Sequence, residues 1–182
     1  LLSGIGQNNA RLEREFYSRD VLVVAPELIG KTLIRCEDRE INRYTIIETE
    51  AYRGEEDQAS HARFGRTIRN SIMYGQAGMV YIYLVYGMHW MLNIVTGNAG
   101  IPQAVLIRSL KGLSGPGNLT RGLGIDKSFY GEDLVNSRRI WLETNSETPE
   151  IITGPRVGIE YSGEPWISHP WRFMWQSKPG II

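Results

Sequence analysis

The stretch "IIETEAYRGEEDQASHAR", residues 46–63, places Glu48 and Glu50 two positions apart at the end of an apolar run, with Tyr52 and His61 close behind. If residues 44–52 are extended, the period of two puts Glu48, Glu50 and Tyr52 on one face and Ile47, Thr49 and Ala51 on the other. Same-face neighbours then sit about 7 Å apart. Two carboxylates at such a separation suit the acid and base of a glycoside hydrolase. An exposed strand face, or ion pairs with nearby arginines, explains the same pattern without chemistry.

A second constellation lies in "YIYLVYGMHWMLN", residues 81–93, which carries Tyr81, Tyr83, Tyr86 and Asn93. A core seldom needs so many phenols, because each buried hydroxyl wants a partner. Aromatic faces beside a basic rim suit a flat heterocycle attached to a phosphate backbone; the competing role for Tyr81 is structural. Arg63, Arg66 and Arg69 are close in sequence, Arg138 and Arg139 are adjacent, and Lys111, Arg121 and Lys127 follow along one stretch. Any one of these cations reads equally well as solvated surface.

The elements that must hold these groups are legible in outline. "NNARLEREFYSRD" predicts a short helix, and "VLVVAPELIGKTLIRCE" a helical turn near Pro26, stopped at Gly30, then a strand from about Lys31. "NRYTIIETEAY" is the next strand, and "EEDQASHARFGRTIRN" reads as a helical turn and polar loop with nothing to pack as core. "GMVYIYLVYGMHW", "WMLNIVTG" and "QAVLIRSL" are strands with short links, which favours antiparallel pairing. A helix is expected after Pro116 and another short one in "GEDLVN", with late strands in "RRIWLET", "RVGIEY" and "WRFMWQ". The sum is an α+β fold: a single domain, residues 1–182, built on a curved, mostly antiparallel β-sheet with surrounding short helices. Residues 1–10 read as a disordered or loosely attached segment.

Composition bounds the remaining choices. The chain has 182 residues, enough for a sizeable core, and its 20 basic residues balance 20 acidic ones, so any nucleic-acid surface must come from local clustering. The lone Cys36 cannot form an internal disulfide, and neither a CxxC nor an HxxxH pair occurs, which points to a reducing, intracellular compartment and no structural metal. No apolar run approaches the ~18 residues of a membrane span, so a soluble protein is expected.

Taken together, "ETEAY", "DQASHAR", "RN", "YIYLVYGMHWMLN", "AVLIRSL", "SGPGNL", "LGIDKS" and "RVGI" occur in an order that resembles the alkyladenine (3-methyladenine) DNA glycosylase family from about residue 13 onward. The resemblance implies a DNA repair enzyme without metal or organic cofactor. Such an enzyme flips a damaged purine out of double-stranded DNA and hydrolyses its N-glycosidic bond, with no lyase step. The lesions implied are 3-methyladenine, 7-methylguanine, hypoxanthine and etheno-adenine, and a monomer is expected. By motif, Glu50 corresponds to the general base that activates water, aided by the Arg108 side chain and the Val157 carbonyl. Tyr52, His61 and Tyr83 correspond to walls of the base pocket, Asn93 to the group facing the guanine amino substituent, and Tyr86 to the wedge in the vacated duplex position. Arg63, Arg66, Arg121 and Lys127 are the candidate contacts to the DNA backbone.

An alkylated purine cation leaves as a neutral base, so one carboxylate suffices, and Glu50 and Arg108 should be neighbours. Glu48 then has only a supporting place. Members of this family usually carry a further helical, basic segment between the "RSL" strand and "SGPG"; here "KGL" alone joins them. Two alternatives remain at this level. A non-catalytic nucleic-acid-binding module would use the same aromatics without needing Glu50 beside Arg108, and an O-glycoside hydrolase would depend equally on Glu48 and Glu50.

Overall fold

The long strand through the two glutamates organises the molecule. In the computed structural model, which describes residues 10–176, the helices are α1 (Arg14–Tyr17), α2 (Val21–Glu27) and α3 (Pro116–Gly122). The strands are β1 (Thr32–Glu37), β2 (Glu40–Arg53), β3 (Val80–Val85), β4 (His89–Val95), β5 (Gln103–Leu110), β6 (Ile140–Glu143), β7 (Ile151–Gly154) and β8 (Arg172–Trp175). Among the described residues all pairings are antiparallel, in the order β3-β4-β5-β2-β1-β6, with β8 also on β2 and β7 on β8. This is the expected α+β fold on an antiparallel sheet.

β2 starts earlier than the sequence suggests because Asp38 and Arg39, at φ of +49° and +71°, close a tight hairpin that pairs Glu37 with Glu40. Its first half pairs with β1; its second half lies between β5 and β8. Two irregularities interrupt the β2–β5 ladder. Ile46 faces Leu110, Glu48 faces Ser109 and Thr49 faces Ile107, so Ile47 and Arg108 are each an extra residue on their own strand. Such bulges bend a sheet and re-aim side chains.

Strand alternation divides the interior. Val80 and Ile82, Leu92 and Ile94, Val105 and Ile107, and Ala51 join the main core with Val21, Val24 and Ala25 of α2. Tyr81, Val95 and Ala104 belong to a second, smaller cluster with Ala62 and Met73, partly overlaid by Tyr83. The functional residues stand over this second face.

Several local expectations are corrected. α1 is brief, because Leu12 is drawn into an extended contact with Leu142 and Arg11 bridges Glu143. α2 begins at Val21, ahead of the expected turn, because Asp20 caps it by accepting from the Leu22 N–H at 2.9 Å. "GEDLVN" is a turn: the Asp133 carboxylate accepts from the Val135 N–H and from Asn136, and this local bonding competes with a helix. "RVGIEY" is a loop ending in a 3-10 turn, Glu160–Ser162, while β7 arises in "IITG", which carried no strand assignment. The stretch 55–70 is not coreless, since Asp57, Ala59, Ser60, Ala62 and Asn70 are all buried. Residues 1–9, most of the segment expected to be loosely attached, lie outside the described residues.

Candidate active site

On the face opposite the main core, alternate residues of four strands line one cavity of about 430 Å³, a size suited to a small flat ligand. β2 contributes Tyr52, β3 Tyr81 and Tyr83, β4 Met91 and Asn93, and β5 Ala104, Leu106 and Arg108. The loops supply His61, Arg69, Val157, Gly158 and Tyr161, and Tyr86 stands at the rim. Of the residues singled out from sequence, Tyr52, His61, Tyr83, Tyr86, Asn93, Arg108 and Val157 meet here. Arg63, Arg66, Arg121 and Lys127 do not line the cavity.

Glu50 lies just behind the wall, fully buried. Its Oε2 accepts from the Tyr52 hydroxyl at 2.8 Å, its Oε1 accepts from the Val157 N–H at 2.8 Å, and Arg108 Nη1 is 3.3 Å from the same Oε1. All three partners line the cavity. A carboxylate has about four acceptor sites, so one remains, on Oε2. Burial raises the Glu50 pKa above its ordinary value, while Arg108, the Val157 N–H and the Tyr52 hydroxyl pull it down without cancelling that effect. The expected proximity of Arg108 is met, and it is the amide of Val157 that bonds Glu50.

The loop carrying Val157 is anchored from below. Arg156 is buried and forms a two-pronged pair with Asp57, Nη1 to Oδ2 at 2.5 Å and Nη2 to Oδ1 at 2.9 Å, and also donates to the Ala51 carbonyl. Its guanidinium sits 4.8 Å from the Tyr52 ring centre and 4.9 Å from that of Trp171. Asp57 also accepts from the Arg53 and Ala59 amides. No sequence signal joined Arg156 to Asp57; they meet only through the fold.

The pocket walls are held in defined protonation states. His61 packs edge-on to Tyr83, with ring centres 4.4 Å apart, and its Nδ1 is 2.8 Å from the Tyr81 hydroxyl. Burial, then the charges of Arg69 and Arg63, lowers the His61 pKa to about 4, so the ring is neutral near pH 7 and offers one donor and one acceptor. Burial raises the Tyr83 and Tyr52 pKa values, so both remain phenols. Tyr81 has both roles weighed from sequence: it is buried in the second cluster and it touches the cavity. Asn93 Nδ2 donates to the Tyr81 and Met91 carbonyls, both at 3.2 Å. Two carbonyls on one side fix the amide orientation.

At the rim, Tyr86 is 90% exposed at φ +52°, followed by Gly87 at φ +69°, and the Met88 N–H donates to the Val85 carbonyl. Positive φ at both central residues makes this a type I′ hairpin turn. Phe64 and Ile68 are also exposed, 83% and 96%, between Arg63, Arg66 and Arg69, none of which makes an ion pair among the described residues. Arg69 lies over Tyr83 and lines the cavity, while Arg63 lies over Tyr161, one of the lining residues. The Lys111–Leu113 link is a closed turn, with Leu110 and Leu113 exchanging backbone bonds of 2.8 and 2.9 Å and Gly112 at φ +86°.

Residues 15–114 and 111–179 match the model of the family described as Methylpurine-DNA glycosylase, the two matches meeting at the Lys111–Leu113 turn. A protein of Desulfitobacterium hafniense (strain Y51), provisionally named a 3-methyladenine DNA glycosylase, is 44% identical, over 90% of this chain and 94% of its own. One of Anaeromyxobacter dehalogenans (strain 2CP-C) with the same name is 41% identical, over 93% and 87%. One of Methanocella arvoryzae, again so named, is 39% identical, over 93% and 94%. The class is therefore that of a DNA repair enzyme, a DNA N-glycosylase. The chain belongs to the methylpurine-DNA glycosylase family. Its substrate is DNA, and none of its described helices is long and apolar enough to cross a membrane.

Proposed function

We propose that the protein, acting as a monomer on damaged double-stranded DNA, flips an alkylated or deaminated purine into the cavity and hydrolyses its N-glycosidic bond with a water activated by Glu50. The observation that carries this reading is the Glu50 carboxylate, buried directly behind an aromatic-walled cavity and bonded by three of the groups that form the wall.

In the reaction, the water oxygen bonds to C1′ of the flipped nucleotide while Glu50 takes its proton. The C1′–N bond breaks and its electron pair leaves with the base. Burial makes Glu50 a stronger base than a solvated carboxylate, which suits this task. Arg108 steadies the negative charge. In this reading water alone ends on C1′, and the backbone is left uncut. Tyr52, His61 and Tyr83 sandwich and border the base, and Tyr86 fills the duplex position it leaves. The lesions in scope are 3-methyladenine, 7-methylguanine, hypoxanthine and etheno-adenine.

The test is release of free base from duplexes that each carry one of these lesions, measured in single turnover. Release by the parent protein, abolished in Glu50→Gln while lesion binding persists, is expected. Binding without release by the parent would favour a non-catalytic module, and equal dependence on Glu48 and Glu50 with activity on oligosaccharides would favour an O-glycoside hydrolase.

A further inference from the structure

We propose that Glu48 is a positioning residue for excision: its carboxylate clamps Arg108 against Glu50 and offsets the charge of Arg108 and Arg172 beside that base. The proposal rests on the reading of Glu50 as general base.

Glu48 is the one strand position between the two ladder irregularities, and Arg108 is the extra residue next to its partner Ser109. Glu48 Oε1 accepts from Arg108 Nε at 3.1 Å and from Arg172 Nε at 2.7 Å; Oε2 accepts from the Ser109 hydroxyl at 2.5 Å. The Gly115 N–H bonds that same hydroxyl at 3.2 Å, tying the carboxylate to the entry of α3. Gripped at Nε, the guanidinium has its Nη1 edge left for Glu50. Arg108 thus spans both glutamates, and Glu48 decides where its far end points.

The charges fit the same role. Glu50 is faced by Arg108 from β5, by Arg172 as its register partner on β8, by Tyr52 on its own strand, by Arg156 and the Val157 N–H from the loop, and by Tyr83 from β3. Arg156 is matched by Asp57. Among the described residues, Arg108 and Arg172 are matched only if Glu48 and Glu50 are both ionised. Burial disfavours the Glu48 anion, but Ser109, Arg172 and Arg108 outweigh it, so it stays charged. Without that charge, Glu50 would stand beside a surplus cation, hold its proton less tightly and become a weaker base.

Glu48→Gln keeps the shape and removes the charge; Glu48→Asp keeps the charge and shortens the reach. Single-turnover base release across pH, with lesion-duplex affinity and melting temperature, separates the two effects. Glu48→Gln is expected to move the acidic limb of the profile down by on the order of one pH unit, from a charge about 7 Å away. It should slow the plateau roughly tenfold or more, less than Glu50→Gln does, with duplex affinity unchanged. Glu48→Asp should slow the plateau without moving the limb. A Glu48→Gln profile that overlays the parent, or a loss of rate that follows a lowered melting temperature with the limb in place, overturns the proposal and leaves Glu48 as scaffold. A parent that releases no base, or a fully active Glu50→Gln, overturns instead the general-base reading beneath it.

Discussion

The Tyr52 hydroxyl donates to Glu50 Oε2 at 2.8 Å, so one residue both walls the cavity and touches the carboxylate behind it. That bond stabilises the anion. Tyr52→Phe keeps the ring and loses the donor, and the Glu50 pKa, already raised by burial, should rise further. The acidic limb of base release is expected to move to higher pH, with the plateau within about tenfold of the parent because the stronger base offsets the lost order. This is the opposite direction from Glu48→Gln. A limb that moves down, or not at all, would show that the hydroxyl does not bond the ionised form.

Glu50→Gln tests activity and stability together. Loss of a general base costs roughly a hundredfold to ten-thousandfold in rate. The folded-state pKa of Glu50 is raised, so its contribution to stability is full below the ordinary carboxylate pKa and declines as pH rises through the folded value. A glutamine cannot ionise, and the Tyr52 hydroxyl can turn to accept from its amide. At pH 7.5 the variant should melt at the parent temperature or above it, while at pH 4 the difference should shrink. A variant that melts well below the parent at pH 7.5 would mean that the anion is a net stabiliser.

What the sequence revealed and what it hid follow from the range of the interactions. The period of two placed Glu48, Glu50 and Tyr52 on one face, and the structure keeps them there, because that alternation depends only on the strand being extended. The glycine after Tyr86, Gly87, is likewise a local signal for the turn that presents it. The bulge that aims Arg108 depends on how two strands 60 positions apart come into register, and no residue type announces it. Likewise, Arg156 and Asp57 are 99 positions apart, and "RVGIEY" alternates like a strand while Gly158 at φ +75° and the buried arginine make it a loop. The polar stretch 55–70 hides its packing for a related reason: its buried Asp57 is matched by the distant Arg156 guanidinium, while Ser60 and Asn70 are satisfied by backbone groups of the stretch itself.

Tyr86 carries a conflict between stability and use. A side chain with a Cβ at φ +52° costs about 1–2 kcal/mol relative to a residue at home there, and strain of this kind gathers at functional positions. Asparagine tolerates the left-handed region. Tyr86→Asn should therefore raise the unfolding free energy by about 1 kcal/mol in urea titration, and yet excise much less from duplex. Excision from a flexible single strand should be far less affected, since no vacated stack needs filling. Equal losses on both substrates would remove the wedge role, and a fall in stability would show that the tyrosine packs in a way its exposure denies.

Asn93 sits where a structural and a selective role coincide. Its Nδ2 ties β4 to β3 through the Tyr81 carbonyl and also holds the Met91 carbonyl of its own strand, so the structural role is present whatever else the residue does. With the nitrogen so engaged, the oxygen end and the bulk of the side chain are what remain for the cavity that Asn93 also lines. A guanine carries a 2-amino group that adenine and hypoxanthine lack, and this group needs room. Asn93→Ala leaves two carbonyls without their donor, at a cost of about 1–3 kcal/mol, and opens space on the cavity wall. Asn93→Ser is the milder form of the same change. The expected result is a lower melting temperature together with a rise in excision of guanine or 7-methylguanine relative to hypoxanthine, read as a ratio of single-turnover rates in matched duplexes. Because a ratio cancels the fraction of folded enzyme, the two roles separate: a lower melting temperature with an unchanged ratio would leave Asn93 as a tie between strands and place the exclusion of guanine elsewhere on the wall.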